Sequence, residues 1–324
     1  MNFTIILFMS FIMLIYSTVM IISSLSWLMI WICLELNMFS FLPVIMYSSF
    51  HEEGAVKYFV VQALASSMML FSIMCDYSNL FNLTMSIILL MSICMKIGSF
   101  PFYFWYPSVM KSMNWLGCMI LSTWQKLGPL CIMIFYLNKY GVIIIISIIN
   151  IMIGGTFGMI QSDLRVLMAY SSISHLGWMM SVLLMNSLVS VIYFLLYFCL
   201  VMPVFFFFMK INIFTLSAMF NSNKNNLSYL FSLMLLILSL SGLPPLSGFM
   251  PKLMVLLQLS LSNMISCVFM VLFSILSLYM YLNLFFSVFM FYYENMKILY
   301  MYNKMSMLMS IMLVIWLVPL LILL

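Results

Sequence analysis

Three lysines and one glutamate lie inside long apolar stretches of this sequence, where an ionisable side chain is costly. They are Glu35, Lys96, Lys126 and Lys252. A charged residue at the centre of a bilayer costs about 2.5–3.5 kcal/mol on insertion scales, so four unpaired ones would cost on the order of 10 kcal/mol. Such residues usually mark an ion or proton path. The alternative is structural, with lysine amines reaching the membrane interface and Glu35 acting as a polar partner.

Each lysine also has a proline close to it in the sequence. The pairs are Lys96 with Pro101, Lys126 with Pro129, and Lys252 with Pro251. A proline inside a helix frees the carbonyl four residues before it, which here belongs to Ile97, Gln125 or Ser247. Burial disfavours a charged amine, whereas a nearby carboxylate favours it. A lysine held between these two tendencies can lose and regain a proton, so the pattern predicts a proton relay.

His175 is a further candidate for this relay. It lies among hydroxyl groups in the stretch 170–177, and the pKa of about 6.5 of an unperturbed histidine suits proton exchange. Two interpretations stay open: His175 carries protons, or its ring is hydrogen-bonded to a neighbouring helix for structural reasons.

The composition places these residues in a membrane. Hydrophobic residues make up 67% of the 324 positions and charged residues 5%, against about 25% charged residues in a soluble domain. A spanning helix needs about 20 apolar residues. Eleven stretches are predicted spans: 3–23, 26–46, 56–74, 83–110, 117–137, 141–159, 164–184, 188–209, 229–257, 264–291 and 305–323. We therefore predict an all-α membrane protein whose residues 1–324 form a single transmembrane domain, without an extramembrane domain.

The fourth and ninth stretches are longer than one span and contain helix breakers. The fourth holds Gly98 and Pro101, and the ninth holds Pro244 and Pro245 between two glycines. Irregular backbone at membrane depth is tolerated only where protein buries it or it lines a wet cavity. Interrupted helices mark the ion path in secondary transporters. We therefore predict two discontinuous helices beside the intramembrane charges.

Basic residues in the connecting segments predict the orientation of the chain. When successive connections alternate between the two sides, seven basic residues lie on the side of the N-terminus and one, Lys139, lies opposite. The seven are Lys57, Lys111, Arg165, Lys210, Lys224, Lys297 and Lys304. This asymmetry follows the positive-inside rule. It also supports the number of spans, because an early miscount would scramble it.

Redox and nucleotide sites are not expected in this chain. The seven cysteines are dispersed without a Cys-x-x-Cys pair, and the two histidines are far apart, so we predict no metal or iron–sulfur site. No dinucleotide fingerprint or phosphate-cradling glycine loop occurs in the sequence. We expect lipids and membrane proteins as partners, and no nucleic acid.

Six segments carry a family resemblance, in the family's order and over most of the chain. They are LELN at 34–37, KYFVVQA at 57–63, KIGSFPFYFWYP at 96–107, TWQKLGP at 123–129, AYSSISHLG at 169–177 and SGLPPLSGFMPK at 241–252. Together they resemble the NADH dehydrogenase subunit 2 family of respiratory complex I. The 39 methionines, with scarce Ala and Arg, are typical of AT-rich coding in an invertebrate mitochondrial genome. We therefore expect the animal form of the family, and within it the arthropod form.

The resemblance implies an antiporter-like bundle in the membrane arm, which translocates protons across the mitochondrial inner membrane. It implies that Glu35 and Lys96 form a coupled pair, that Lys126 is central, and that Lys252 lies toward a neighbouring subunit. The N-terminus would face the matrix and the C-terminus the intermembrane space. NADH, FMN, iron–sulfur clusters and ubiquinone would be bound by other subunits, and this chain would hold no cofactor.

Two other functions stay open. A stand-alone cation/proton antiporter of the related type would use the same broken helices and lysines. A purely structural membrane subunit would use the charges to fix helix packing. The near-absence of soluble loops favours the complex I subunit, because its partners must then supply whatever senses energy. The number and placement of the intramembrane charges disfavour the structural role.

Overall fold

The apolar stretches fold as helices, because a backbone in hydrocarbon must satisfy its hydrogen bonds within its own segment. The computed structural model describes residues 2–49, 52–77, 82–136, 141–216, 218, 227–244 and 246–296. The helices of these ranges are α1 (Asn2–Ser23), α2 (Trp27–Ser48), α3 (Glu53–Tyr77), α4 (Asn82–Ile97), α5 (Trp105–Ser112), α6 (Trp115–Ser122), α7 (Trp124–Tyr136), α8 (Val142–Ile160), α9 (Leu164–Val182), α10 (Ser187–Ile211), α11 (Leu227–Ser241), α12 (Phe249–Ser262) and α13 (Met264–Met296). The predicted all-α class is confirmed for these ranges.

Seven helical stretches in the described ranges are long and apolar enough to cross a membrane. They are Ile5–Ser23, Trp27–Ser48, Glu53–Cys75, Trp115–Phe135, Val142–Ile160, Ser187–Ile211 and Met264–Phe286. The chain is therefore a multi-pass membrane protein by length and composition. The predicted span 305–323 lies outside the described residues, as does Pro245.

Helix α9 is absent from that set although the sequence predicts a span at 164–184. Every residue of α9 except Arg165 is buried, and several of them, including His175, are polar. Polar residues in membrane helices face the protein interior. A helix enclosed by its neighbours in this way needs no continuous apolar surface.

The first compact unit is Met1–Tyr140 (unit 1). In it α2 packs on α1 and α3, α4 packs on α3 and α7, and α5 packs on α3. The second compact unit is Gly141–Leu324 (unit 2). In it α8 packs on α9, and α13 packs on α8 and α11.

Glycine allows the close approach of α8 and α9 in unit 2. A Cβ at Gly154 would lie 2.6 Å from the carbonyl oxygen of Tyr170, and one at Gly177 would lie 2.6 Å from that of Ser147. Both distances are shorter than van der Waals contact, so a side chain at either glycine would push the helices apart. The buried face of α9 is thereby held against α8.

Two breaks interrupt the helical backbone, at residues 98–104 between α4 and α5 and at residues 242–248 between α11 and α12. Each begins with a glycine in the left-handed region, Gly98 at φ 77° and Gly242 at φ 79°. This conformation is open to glycine because it lacks a Cβ. At the first break, Ser99 N–H bonds to the carbonyl of Cys94 and Gly98 N–H to that of Met95, which is the Schellman pattern of helix ends.

Candidate functional site

Lys96 and Lys126 line one cavity in unit 1. The centre of a water molecule can occupy about 20 Å³ of this cavity. A cavity needs roughly 10–15 Å³ of such space to hold one water. Polar groups of five helices, α2, α3, α4, α5 and α7, surround it. The lining residues are Leu34, Asn37, Met38, Tyr58, Gln62, Lys96, Ile97, Trp105, Tyr106, Leu121, Gln125, Lys126 and Pro129. A polar cavity of this size can hold a water that bridges the two amines.

Lys96 stands in the last turn of α4, directly before the first break. Its side chain is 7% exposed, and its carbonyl oxygen accepts a hydrogen bond of 3.1 Å from Nε2 of Gln62 on α3. The last carbonyls of a helix have no partner within the helix, so Gln62 caps α4. The indole of Trp105 donates in the same way to the carbonyl of Met95, at 3.1 Å.

Glu35 lies on α2, next to Leu34, which lines the cavity. The glutamate is half-buried. Among the contacts of the described residues, no hydrogen bond or ion pair joins Glu35 directly to Lys96. The two residues predicted to form a coupled pair are therefore not in direct contact in the described part of the chain.

Lys126 is 2% exposed and lies near the start of α7. Its amine is 5.0 Å from the centre of the Tyr106 ring, a distance at which the ring face attracts a cation. Tyr106 itself packs against the first break, because a Cβ at Gly98 would lie 2.9 Å from the Cβ of Tyr106. Pro129 lies inside α7, three residues after Lys126.

Lys252 lies in unit 2, in the first turn of α12 after the second break. Its amine donates a hydrogen bond of 2.7 Å to the carbonyl oxygen of Ser241, the last residue of α11. The carbonyl that Pro251 was predicted to free is that of Ser247, four residues before it. That carbonyl accepts from Met250 N–H, and Pro251 frees nothing because first-turn N–H groups have no partner within the helix.

His175 is buried in unit 2 on α9. Its Nδ1 is hydrogen-bonded to the hydroxyl of Tyr193 on α10 at 2.9 Å, and the ring of Tyr197 lies 5.2 Å away. The hydrogen bond to a neighbouring helix, one of the two interpretations, is thus observed.

The polar residues that surround the lysines were not among the predicted site residues. Asn37, Gln62 and Gln125 line the cavity, and Gln125 donates to Asn37 Oδ1 at 3.4 Å. Two of these amides could have been found from the sequence, because Asn37 lies two residues after Glu35 and Gln125 lies directly before Lys126. In the described part of the chain, no three His, Cys, Asp or Glu side chains are grouped to hold a metal ion.

Comparison with known proteins gives one consistent family. The family model described as "NADH:quinone oxidoreductase/Mrp antiporter, TM" matches residues 24–278. NADH-ubiquinone oxidoreductase chain 2 of Lumbricus terrestris is 42% identical over 282 residues, which cover 85% of this chain and 84% of the relative. The same protein of Anopheles gambiae is 38% identical over 294 residues, which cover 88% and 86%.

Solved structures share the fold. A chain of respiratory complex I from Thermus thermophilus with bound Aureothin superposes with a TM-score of 0.79 at 22% identity, covering 87% of this chain and 70% of that one. A chain of the Mrp complex from Dietzia sp. DQ12-45-1b superposes with a TM-score of 0.74 at 15% identity, covering 86% and 59%. At such identities the likeness establishes the antiporter-like fold alone.

Proposed function

The chain belongs to the NADH-ubiquinone oxidoreductase chain 2 proteins within the NADH:quinone oxidoreductase/Mrp antiporter family, and on this premise we propose that it is a proton-translocating core subunit of the complex I membrane arm. The observation that carries the proposal is the cavity shared by Lys96 and Lys126. Two buried amines around one water-sized space can exchange a proton without crossing hydrocarbon.

Proton transfer in unit 1 starts from the charge of Glu35. While Glu35 is negative, it attracts the proton held on the Lys96 amine. When that attraction is removed, by protonation of Glu35 or by a change in a neighbouring subunit, the proton leaves Lys96 Nζ. A water in the cavity accepts it and passes another to Lys126 Nζ. Asn37, Gln62 and Gln125 hold this water by hydrogen bonds, since amide groups both donate and accept.

Lys252 and His175 have the corresponding role in unit 2. Lys252 exchanges its proton after release from the carbonyl of Ser241, and it passes protons toward a neighbouring subunit. The breaks 98–104 and 242–248 make α4–α5 and α11–α12 two discontinuous transmembrane helices within a chain of eleven spans. Their irregular backbone supplies the carbonyl and the space that a charged amine needs at membrane depth.

The rest of the assignment follows from this role. The protein lies in the mitochondrial inner membrane as one transmembrane domain over residues 1–324, with its N-terminus in the matrix and its C-terminus in the intermembrane space. It contributes to NADH:ubiquinone reduction as part of the complex and contains no redox centre. Other subunits bind NADH, FMN, iron–sulfur clusters and ubiquinone, and the membrane-arm subunits are its protein partners.

Lys126→Met tests the proposal. We expect the assembled complex to form and to lose coupled proton transport, because methionine fills the space of lysine without an exchangeable proton. Proton uptake by proteoliposomes that contain the complex measures the effect. Lys57→Met is the matched control, because Lys57 is exposed and pairs with Glu53 at 3.3 Å on the same helix. Parental pumping by an assembled Lys126→Met complex would contradict the relay.

A stand-alone cation/proton antiporter is the second candidate, favoured by the fold shared with a chain of the Mrp complex. Purification in mild detergent separates the two functions. Recovery of the chain within a multi-subunit assembly supports the complex I subunit. Recovery as an autonomous protein with sodium-dependent proton exchange would favour the antiporter.

A further inference from the structure

The aromatic ring of Tyr106 has no part in the proton transfer described so far. Tyr106 is 1% exposed and lines the cavity together with Lys126. The amine of Lys126 lies over the ring, 5.0 Å from its centre. The face of an aromatic ring is negative, and it attracts a cation more strongly where water is excluded. The ring is therefore positioned to hold the protonated amine.

The neighbouring residues fix the Tyr106 ring in place. The backbone N–H of Tyr106 bonds to the carbonyl of Tyr103 at 3.1 Å. The ring of Trp105 packs edge to face against it, with centroids 5.6 Å apart. At the first break, a Cβ at Gly98 would lie 3.2 Å from both Cγ and Cδ2 of the ring. The ring therefore cannot turn away from Lys126 unless the break moves as well.

Trp105 connects this ring to the end of α4. Its indole Nε1 donates to the carbonyl of Met95 at 3.1 Å, one residue before Lys96. On its other side it packs edge to face against Tyr58 of α3, with centroids 5.9 Å apart. The position of the Tyr106 ring is thus tied to the same helix end that carries Lys96.

The cavity offers the amine aromatic and amide groups. The titratable residues that line it in the described part of the chain are Tyr58 on α3, Lys96 on α4, Tyr106 on α5 and Lys126 on α7. On α2, Glu35 lies next to the lining residue Leu34. No residue among those that line the cavity is acidic. The ring face is therefore a surface of this cavity that attracts an ammonium group and does not attract a neutral amine in the same way.

We propose that Tyr106 is a positioning residue for Lys126 and that its ring holds the amine only while the amine carries a proton. The proposal rests on the proton-translocating function of the chain. It adds to that function a side-chain position that depends on charge.

The proton step itself involves only the amine and the cavity water. When Lys126 is protonated, an O–H bond of the water breaks, an N–H bond forms on Nζ, and the ring then attracts the ammonium. When the same step runs in reverse, the amine becomes neutral and the ring releases it. No bond to the ring forms or breaks, and no electron is transferred.

Tyr106→Phe and Tyr106→Leu test the role of the ring in the assembled complex. Phenylalanine keeps the ring face, whereas leucine removes it. We expect Tyr106→Phe to transport protons into proteoliposomes at close to the parental rate. Tyr106→Leu should transport more slowly by roughly two- to thirtyfold, the change that corresponds to the loss of a cation–π contact. Phe104→Leu is the matched control, because it removes a ring from the same break that is 70% exposed. Equal transport rates of Tyr106→Phe and Tyr106→Leu would overturn the proposal.

Thermal unfolding separates this role from simple packing. Tyr106→Leu is compared in the parental complex and in the Lys126→Met complex. We expect it to lower the unfolding temperature less in the second, because no cation is then lost from the ring face. Equal losses in both backgrounds would show that the ring only packs. If Tyr106→Leu does not assemble, Tyr106→Met replaces it in both assays, since methionine fills irregular space.

The outcomes distinguish this role from the proposed function. An inactive Lys126→Met complex together with equal transport by Tyr106→Phe and Tyr106→Leu refutes the positioning role and leaves the proposed function intact. Parental pumping by Lys126→Met, by contrast, refutes the proposed function and with it this role.

Discussion

Each of the two helix breaks begins with a glycine in the left-handed conformation. The two lysines, however, lie on opposite sides of their breaks. In unit 1, Lys96 precedes the break at the C-terminal end of α4, and in unit 2, Lys252 follows the break in the first turn of α12. A helix C-terminus attracts an ammonium group, whereas an N-terminus repels one. Lys252 offsets this repulsion because its amine reaches back across the break to the carbonyl of Ser241.

The amine of Lys252 therefore has a structural role, whereas that of Lys96 is available for proton transfer. In unit 2 the amine of Lys252 satisfies the end of α11, so it is part of the break itself. In unit 1 that task falls to Gln62, which caps the carbonyl of Lys96, and Lys96 lines the cavity. Proton transfer in unit 2 therefore involves an amine that the fold also uses as a hydrogen-bond donor, whereas transfer in unit 1 does not.

The largest expected effect is that of Lys96→Met on transport. We expect proton transport to fall by about 10²–10⁴, as when a proton-transferring group is removed, with no loss of thermal stability, because the variant removes a buried charge and leaves the cap from Gln62. Proteoliposome assays and thermal unfolding of the complex measure the two properties. A fall in stability as large as that of Lys252→Met would remove the contrast between the units.

Gly98→Ala should destabilise the protein more than Gly242→Ala does. Each substitution places a side chain in the left-handed region, at about 1–2 kcal/mol. Gly98→Ala also presses on the Cβ of Tyr106 at 2.9 Å, and this atom is fixed to the backbone, so overpacking adds about 1–3 kcal/mol. Gly242→Ala meets the flexible end of Lys252, with Cδ at 2.9 Å, which can shift at the expense of its bond to Ser241.

Thermal unfolding of the assembled complex checks this order. Gly141→Ala is the control, because nothing lies within 4 Å of its added Cβ. Equal destabilisation by Gly98→Ala and Gly242→Ala would show that both breaks are equally rigid.

Lys252→Met should destabilise unit 2 as well as slow transport. The Ser241 carbonyl would lose a hydrogen bond to a charged group, at a cost of about 1.5–3 kcal/mol. The shift in unfolding temperature measures this, with Lys57→Met as the exposed control. A stability equal to that of the parent would show that water replaces the amine at the Ser241 carbonyl. The amine of Lys252 would then be as available for proton transfer as that of Lys96.

Gln62→Leu should have the smallest effect. It removes a neutral hydrogen bond of about 0.5–1.5 kcal/mol and one polar wall of the cavity, so we expect a slight loss of stability and slower proton transport. The same two assays apply. An unchanged transport rate would show that Gln62 only caps α4 and does not hold water.

Much of the fold follows from local features of the chain. The breaks were predictable because Gly98 and Gly242, each with a proline soon after it, cannot continue a helix within an apolar stretch. The family was recognisable from the sequence because its motifs contain the break residues and the charged residues around them. The arthropod form, the eleven spans and the roles of the charged residues stay predictions.

The partners of the site residues could not be found in the same way. Gln62 and Lys96 are 34 positions apart, and Asn37 and Gln125 are 88 apart. Periodicity assigns a residue to a helix face but does not say which other helix lies opposite. The carbonyl that meets Lys252 could not be predicted for this reason: Ser241 lies on the far side of the break, and only the folded geometry brings its oxygen within 2.7 Å of the amine.

The amino-acid sequence alone determined that this chain is a helical membrane protein and where its costly charges and helix breakers lie. Both properties depend on the free energy of each residue in hydrocarbon, which needs no knowledge of its neighbours. The tertiary structure decided that Lys96 and Lys126 share a cavity, that Lys252 caps α11 and that His175 meets Tyr193. These contacts depend on how separate helices pack, and packing is a property of the whole unit.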